Sequence, residues 1–223
     1  QIPASESEAD RSAARLQDGV LNRWFLDPLA GKGYPQDVMD HYRSDMRFVQ
    51  AGDLQTMAAP IDFLGINYYF RYLVRSNEIS EAQNMPPTEF STGEFTDMGW
   101  EVYPQGAYKL LKRLQDDYNF PAFYFTENGA ACPDKPDTAG KVDDPARVSY
   151  VRRHLEQMHK AIEEGVPLRG YFVWSLLDNF EWSFGYTKRF GIVYVDYPTQ
   201  KRIPKTSAKW YRQVIAEGGF PEE

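Results

Sequence analysis

Three short apolar runs, residues 61–70, 122–126 and 168–174, constrain this chain more than any other feature. Each reads as a strand that is apolar on both faces, and such strands persist only where both faces are covered. Helical patterns surround them. Ser7 and Asp10 have the spacing of a capping box, followed by Leu16, Val20, Leu21 and Trp24 at helical intervals. Pro35 is placed to open a second helix, and Pro104 opens one that carries Leu110, Leu111, Leu114 and Tyr118. Asp144 and Pro145 start another, with Val148, Val151, Leu155, Met158 and Ile162 as its stripe and Gly165 at its end. Residues 190–195 are strand-like, and a last helix is expected over 207–217. Polar residues 77–99, with Pro86 and Pro87, read as a long loop.

Helices alternating with doubly apolar strands argue for α/β architecture and a parallel sheet. Three parallel strands leave two unpaired apolar edges. A closed (β/α)8 barrel needs eight strands and typically about 250 residues. Such a chain is expected either to pair with another polypeptide or to be a piece of a longer one. The chain begins Gln1-Ile2-Pro3 without an initiator Met and is expected to start inside a longer protein.

Composition excludes several classes. Hydrophobic residues make up 42% and charged residues 26%, ordinary values for a globular chain. The net charge of -7 and the lack of a basic run speak against a nucleic-acid partner. No apolar stretch approaches the roughly 20 residues of a membrane span. Cys132 is the one cysteine, so no intrachain disulfide can form, and a cytoplasmic location is the expectation. His154 and His159 lie five apart rather than four, and no metal or cofactor motif is present.

Aromatic residues reach 15%, and many fall among acids and amides at the ends of the apolar runs. Asn67 and Tyr69 end the first run, Glu127 and Asn128 the second, and residues 174–182 the third. In barrel enzymes the chemistry sits at these strand ends. A carboxylate there is costly unless it is paired or used. Aromatic faces that stack on sugar C–H surfaces, beside carboxylates that accept hydroxyls, are what a carbohydrate site requires. Read alone, Glu127 and Glu181 could be taken as a nucleophile and acid pair.

Five ordered blocks carry a more specific resemblance. Thr126-Glu127-Asn128-Gly129 is similar to the T-E-N-G nucleophile motif of family 1 glycoside hydrolases. Leu21 through Pro28, with Gly33-Tyr34-Pro35 after it, resembles the segment before that family's G-x-Y-P turn. Phe63-Leu64-Gly65-Ile66-Asn67-Tyr68-Tyr69 looks like its sixth strand. Trp174-Ser175-Leu176-Leu177-Asp178-Asn179-Phe180-Glu181-Trp182 looks like its eighth strand and sugar-binding loop, and Gly185-Tyr186-Thr187-Lys188-Arg189-Phe190-Gly191 follows.

The resemblance implies the C-terminal part of a (β/α)8 TIM barrel, from about helix 5 to helix 8, with core strands 6, 7 and 8. It implies a retaining β-glucosidase with Glu127 as nucleophile and Tyr69 as its hydrogen-bond donor. Asn67, Trp174, Glu181, Trp182 and Phe190 would bind the sugar, which places Glu181 in binding rather than in acid catalysis. Family members that use 6-phosphorylated sugars typically carry Ser and Tyr where this chain has Glu181 and Phe190. A carboxylate at 181 would repel phosphate, so an unphosphorylated β-glucoside or short β-linked oligosaccharide is the expected substrate. The T-x-N-E-P motif with the family's acid/base Glu is absent, so a complementary N-terminal half-barrel polypeptide is the expected partner. A non-catalytic half-barrel, or sugar-binding remnant, stays open as the other reading.

Overall fold

A computed structural model of the chain describes residues 1–43, 45–76, 88–89 and 93–220. In chain order, the first elements are strand β1 (Ile2–Pro3) and helices α1 (Glu8–Asp18), α2 (Trp24–Leu29), α3 (Gln36–Tyr42) and α4 (Asp53–Met57). Strands β2 (Leu64–Asn67), β3 (Leu73–Val74) and β4 (Thr88–Glu89) follow, then helix α5 (Gln105–Asp117) and strand β5 (Phe123–Asn128). The last elements are α6 (Pro145–Glu163), β6 (Leu168–Val173), β7 (Val193–Asp196), β8 (Lys201–Pro204) and α7 (Thr206–Glu217). The chain divides into two compact units. One is Gln1–Asp62 with Arg71–Thr92 and Asp117–Phe120, and the other is Phe63–Phe70 with Gly93–Asp116 and Pro121–Glu223.

In the first unit, β1 pairs parallel with β3, and β3 pairs antiparallel with β4. Half of the expected capping box forms. The Asp10 amide donates to Ser7 Oγ at 3.1 Å, which satisfies one orphan donor of α1. The Asp10 carboxylate does not turn back to Ser7; it accepts from Ser5 Oγ and the Ser76 amide, and these bonds pull its pKa down to about 2. The periodic run through Trp24 is not one helix, because residues Gly19–Arg23 wind as a π-helical turn between α1 and α2. Arg23 is buried there and donates to Asp18 and Asp37 at 3.2 and 2.6 Å. Pro35 precedes α3 as its N-cap rather than occupying its first turn.

The second unit holds the βαβαβ core. Its sheet has the order β2-β5-β6, both pairs parallel. Phe123 and Phe125 are fully buried on β5, the central strand. The strand expected over 61–70 is shorter, only Leu64–Asn67. Tyr68, just past its end, turns its hydroxyl to the Tyr103 carbonyl at 2.6 Å.

Helix α6 buries part of the expected stripe, Val151 and Met158, together with residues the stripe did not include. Ile162 is exposed, while Arg147, Tyr150, Val151, His154, Met158 and Ala161 face inward. Three of these are polar, and each finds a partner within the fold. Asp144 stands at the helix N-terminus without capping it; its carboxylate is taken by Arg147 and by the Ser207 amide and hydroxyl. The strand expected over 190–195 begins only at Val193, since Phe190 and Ile192 bond to the backbone of Ser175 instead. It then forms the β7-β8 hairpin, which the sequence reading does not anticipate. Of the expected loop over 77–99, residues 77–87 and 90–92 lie outside the described residues.

Candidate active site

The carboxyl ends of β2, β5 and β6 meet at one rim of the second unit. The strand register sets Asn67 beside Glu127, and the Tyr68 amide donates to the Glu127 carbonyl at 3.0 Å. The Trp174 amide donates in turn to the Asn128 carbonyl at 2.9 Å. Gly129 makes this approach possible. A Cβ at that position would lie 1.9 Å from the Trp174 carbonyl oxygen, so no other residue lets β5 end against β6 in this way.

Asn128 is wholly buried and works as the junction of the three strand ends. Its amide donates to the Tyr68 carbonyl at 2.7 Å and to the Tyr150 hydroxyl at 3.1 Å, while its side-chain carbonyl accepts from Tyr171 at 3.0 Å. Tyr150 in turn donates to the Tyr69 carbonyl at 2.9 Å. The strand ends are thus cross-linked by a satisfied buried network, which holds side chains on them to one geometry.

Tyr69 donates its hydroxyl to Glu127 Oε2 at 2.7 Å. Burial pushes the phenol pKa far above the usual tyrosine range; the bond to Glu127, its charge and the charge of Glu181 push it further. The phenol therefore stays protonated, a permanent donor to the carboxylate. Asn67 is tied in from the same strand end, its Oδ1 accepting from Thr126 Oγ1 at 2.7 Å.

Aromatic rings wall this point. Phe190 is only 2% exposed and meets the Tyr69 ring edge-on, centroids 6.2 Å apart. Trp100 joins both, at 5.2 Å from Tyr69 and 5.9 Å from Phe190, and stacks on Phe70 at 4.9 Å. Trp100 lies in no motif, and only its position after Gly99 marks it, which is why sequence reasoning passes over it. Glu181 and Trp182 stand on the loop after β6, where a 3-10 turn spans Trp182–Phe184. Glu181 reaches Tyr69 through its charge, whereas Trp182 is 83% exposed. The structure therefore brings Glu127, Tyr69, Asn67 and Phe190 together, sets the Trp174 backbone beside them, and leaves the Trp182 indole in the open.

A cavity of about 350 Å³ lies away from this rim, between α6, β6 and α7, lined by Leu155, Met158, Ile162, Leu168, Tyr171 and Phe220. It contains no strand-end candidate. Among the described residues, no group of three or more His, Cys, Asp or Glu is placed to hold a metal ion. No helix among them is long and apolar enough to cross a membrane.

Buried parallel strands alternating with helices, with a carboxylate and a phenol joined across the strand ends, define an α/β chain whose candidate site lies at the carboxyl ends of its sheet. The chain belongs to glycosyl hydrolase family 1, whose model matches residues 1–220. It is 45% identical to β-glucosidase A of Thermotoga maritima over 223 residues, covering 99% of this chain and 49% of that protein. It is 44% identical to a bifunctional β-D-glucosidase/β-D-fucosidase of Bifidobacterium breve, covering 93% of this chain and 49% of the relative. The fold matches the Thermotoga maritima enzyme in complex with isofagomine lactam with a TM-score of 0.92, over 98% of this chain and 49% of that one. A psychrophilic β-glucosidase from Micrococcus antarcticus matches with a TM-score of 0.92 at 40% identity, over 98% of this chain and 51% of its own. The α/β class and the partial barrel expected from the sequence stand. The chain spans about half the length of the curated relatives it matches.

Proposed function

We propose that this chain is the nucleophile-bearing part of a retaining β-glucosidase acting on terminal, unphosphorylated β-D-glucosides. The observation that carries this is the 2.7 Å bond from the Tyr69 hydroxyl to Glu127 at adjacent strand ends. It leaves Glu127 held in one orientation by a hydrogen-bond donor, as a nucleophilic carboxylate must be. Glu127 attacks the anomeric carbon, the glycosidic C–O bond breaks, and the leaving oxygen takes a proton from an acid. Water then hydrolyses the glycosyl ester, with that same acid group acting as base. Asn67, Trp174, Glu181, Trp182 and Phe190 hold the sugar.

The acid/base carboxylate comes from a complementary N-terminal half-barrel polypeptide, so that residues 1–223 form one partial domain of a cytoplasmic enzyme. Names of relatives support the substrate class: β-glucosidases, and one that also acts as a β-fucosidase. The carboxylate at Glu181 disfavours a phosphorylated sugar.

The test is hydrolysis of an aryl β-glucoside by the chain with its N-terminal half, since a good leaving group needs little acid help. Glu127→Gln should lower kcat by about a thousandfold or more. Tyr69→Phe removes a hydrogen bond to a charged group, worth about 1.5–3 kcal/mol, and should lower kcat/KM by about 10- to 150-fold. Unchanged turnover in Glu127→Gln refutes the assignment.

A further inference from the structure

Behind the rim lies a buried ionic cluster that the proposed chemistry leaves unused. It comprises three carboxylates, Asp134, Asp144 and Asp178, and three cations, Arg147, Arg189 and Lys205. Arg147 and Lys205 are wholly buried, and Asp178 nearly so. Arg147 donates to Asp134 at 2.6 Å and also binds Asp144. Lys205 bridges Asp134 at 2.6 Å and Asp178 at 2.9 Å. Arg189 closes the chain on Asp178 at 2.6 Å. Signs balance and each charge has a partner, which is the condition for burying charge without a large penalty.

Asp178 concentrates these bonds at the stem of one loop. Residue 178 enters that loop and residues 189–191 leave it. The Asp178 carboxylate accepts from Arg189 and Lys205 and also from the amides of Gly191, at 3.0 Å, and Val195, at 3.3 Å. The Arg189 carbonyl is held as well, accepting from Arg147 at 2.8 Å and from the Cys132 amide at 3.1 Å. The Phe190 carbonyl accepts from the Ser175 amide at 3.2 Å. Gly191 presses so close to the stem that a Cβ would lie 2.1 Å from the Asp178 amide nitrogen. Between these fixed points the chain carries Phe190 at one end and Glu181 within the loop.

We infer that Asp178, Arg189 and Lys205, within this charge-balanced cluster, form a clamp that positions the 179–190 loop, and with it Glu181 and Phe190, for the non-reducing end of the sugar. They are positioning residues: they touch the loop, not the substrate. The role in sugar binding rests on the β-glucosidase assignment above, while the ordering of the loop does not.

The double variant Asp178→Ala/Lys205→Met removes the clamp and keeps the cluster balanced, at two carboxylates and two cations. Lys205→Met alone, which keeps the Arg189 pair, is the milder variant should the double one fail to fold. Amide hydrogen exchange on the full chain should accelerate about tenfold over residues 177–195, while α6 is unchanged. Paired with the N-terminal half, the variant should show KM for an aryl β-glucoside raised about tenfold with kcat within about threefold, a loss of uniform binding. Exchange that is unchanged in the loop, or raised equally in α6, overturns the clamp. Faster loop exchange with an unchanged KM overturns its part in sugar binding. Should Glu127→Gln retain full turnover, the β-glucosidase assignment falls, and the exchange comparison still decides the clamp.

Discussion

His154 sits wholly buried on α6, its ring stacked on Tyr150 at a centroid distance of 4.0 Å. Its Nδ1 faces the Tyr150 carbonyl at 2.7 Å, while Nε2 finds no partner among the described residues. Burial lowers its pKa from 6.5 to about 4. In the unfolded chain this imidazole protonates below its ordinary pKa, whereas in the fold it stays neutral to about pH 4. Its contribution is therefore complete above pH 6.5 and falls as the pH drops from 6.5 to about 4, by up to the order of 3 kcal/mol. Urea unfolding between pH 7.5 and 4 should show that slope in the native chain. In His154→Leu the slope over this window should flatten, whatever the variant does to stability at pH 7.5.

The elements of the second unit depend on close approaches that admit no spare atom. Gly129→Ala would drive a methyl into the Trp174 backbone, where there is no side chain to move aside. The ends of β5 and β6 would have to part, with an expected destabilisation of about 1–3 kcal/mol and a loss of activity beyond it, since Glu127 sits two residues upstream. Thermal unfolding and kcat/KM measured together test this; a loss of stability with full activity would show that the junction does not position Glu127. In the first unit, α1 relies on one cap. Ser7→Ala should cost about 1 kcal/mol, read as a lower urea midpoint with an unchanged slope. The inward face of α6 makes a related point. Periodicity marks Val148 and Ile162 as core, yet Ile162 is exposed and Arg147, Tyr150 and His154 are inside. Apolar spacing locates the helix and its buried Val151 and Met158, but it does not reveal polar residues on the same face whose buried partners wait on distant segments.

At the scale of the molecule, the three-stranded sheet of the second unit ends on β2 and β6, with no further strand on either among the described residues. Phe63 is 50% exposed beside one edge and Phe172 58% exposed on the other. Parallel edges of this kind pair readily with another chain. The chain by itself should associate in a concentration-dependent way, measurable by light scattering, and Phe172→Lys should suppress that association. Adding the N-terminal half should suppress it too while restoring hydrolysis. A wholly monomeric chain at high concentration would count against open edges.

Strand runs, helix starts and the strand-end positions of Asn67, Tyr69, Glu127 and Trp174 were legible in the sequence, because burial on both faces and local caps leave a one-dimensional trace. So was the family, because five motifs in order are hard to match by chance. Tertiary structure alone decided the rest. Trp100 joined the site by folding back onto Tyr69 and Phe190 from outside any motif. Asn128, read as a site residue beside Glu127, proved to be the buried junction of three strand ends. The six-charge cluster unites residues from 134 to 205 that share no pattern, since ion pairs depend on distance in space and leave no period along the chain.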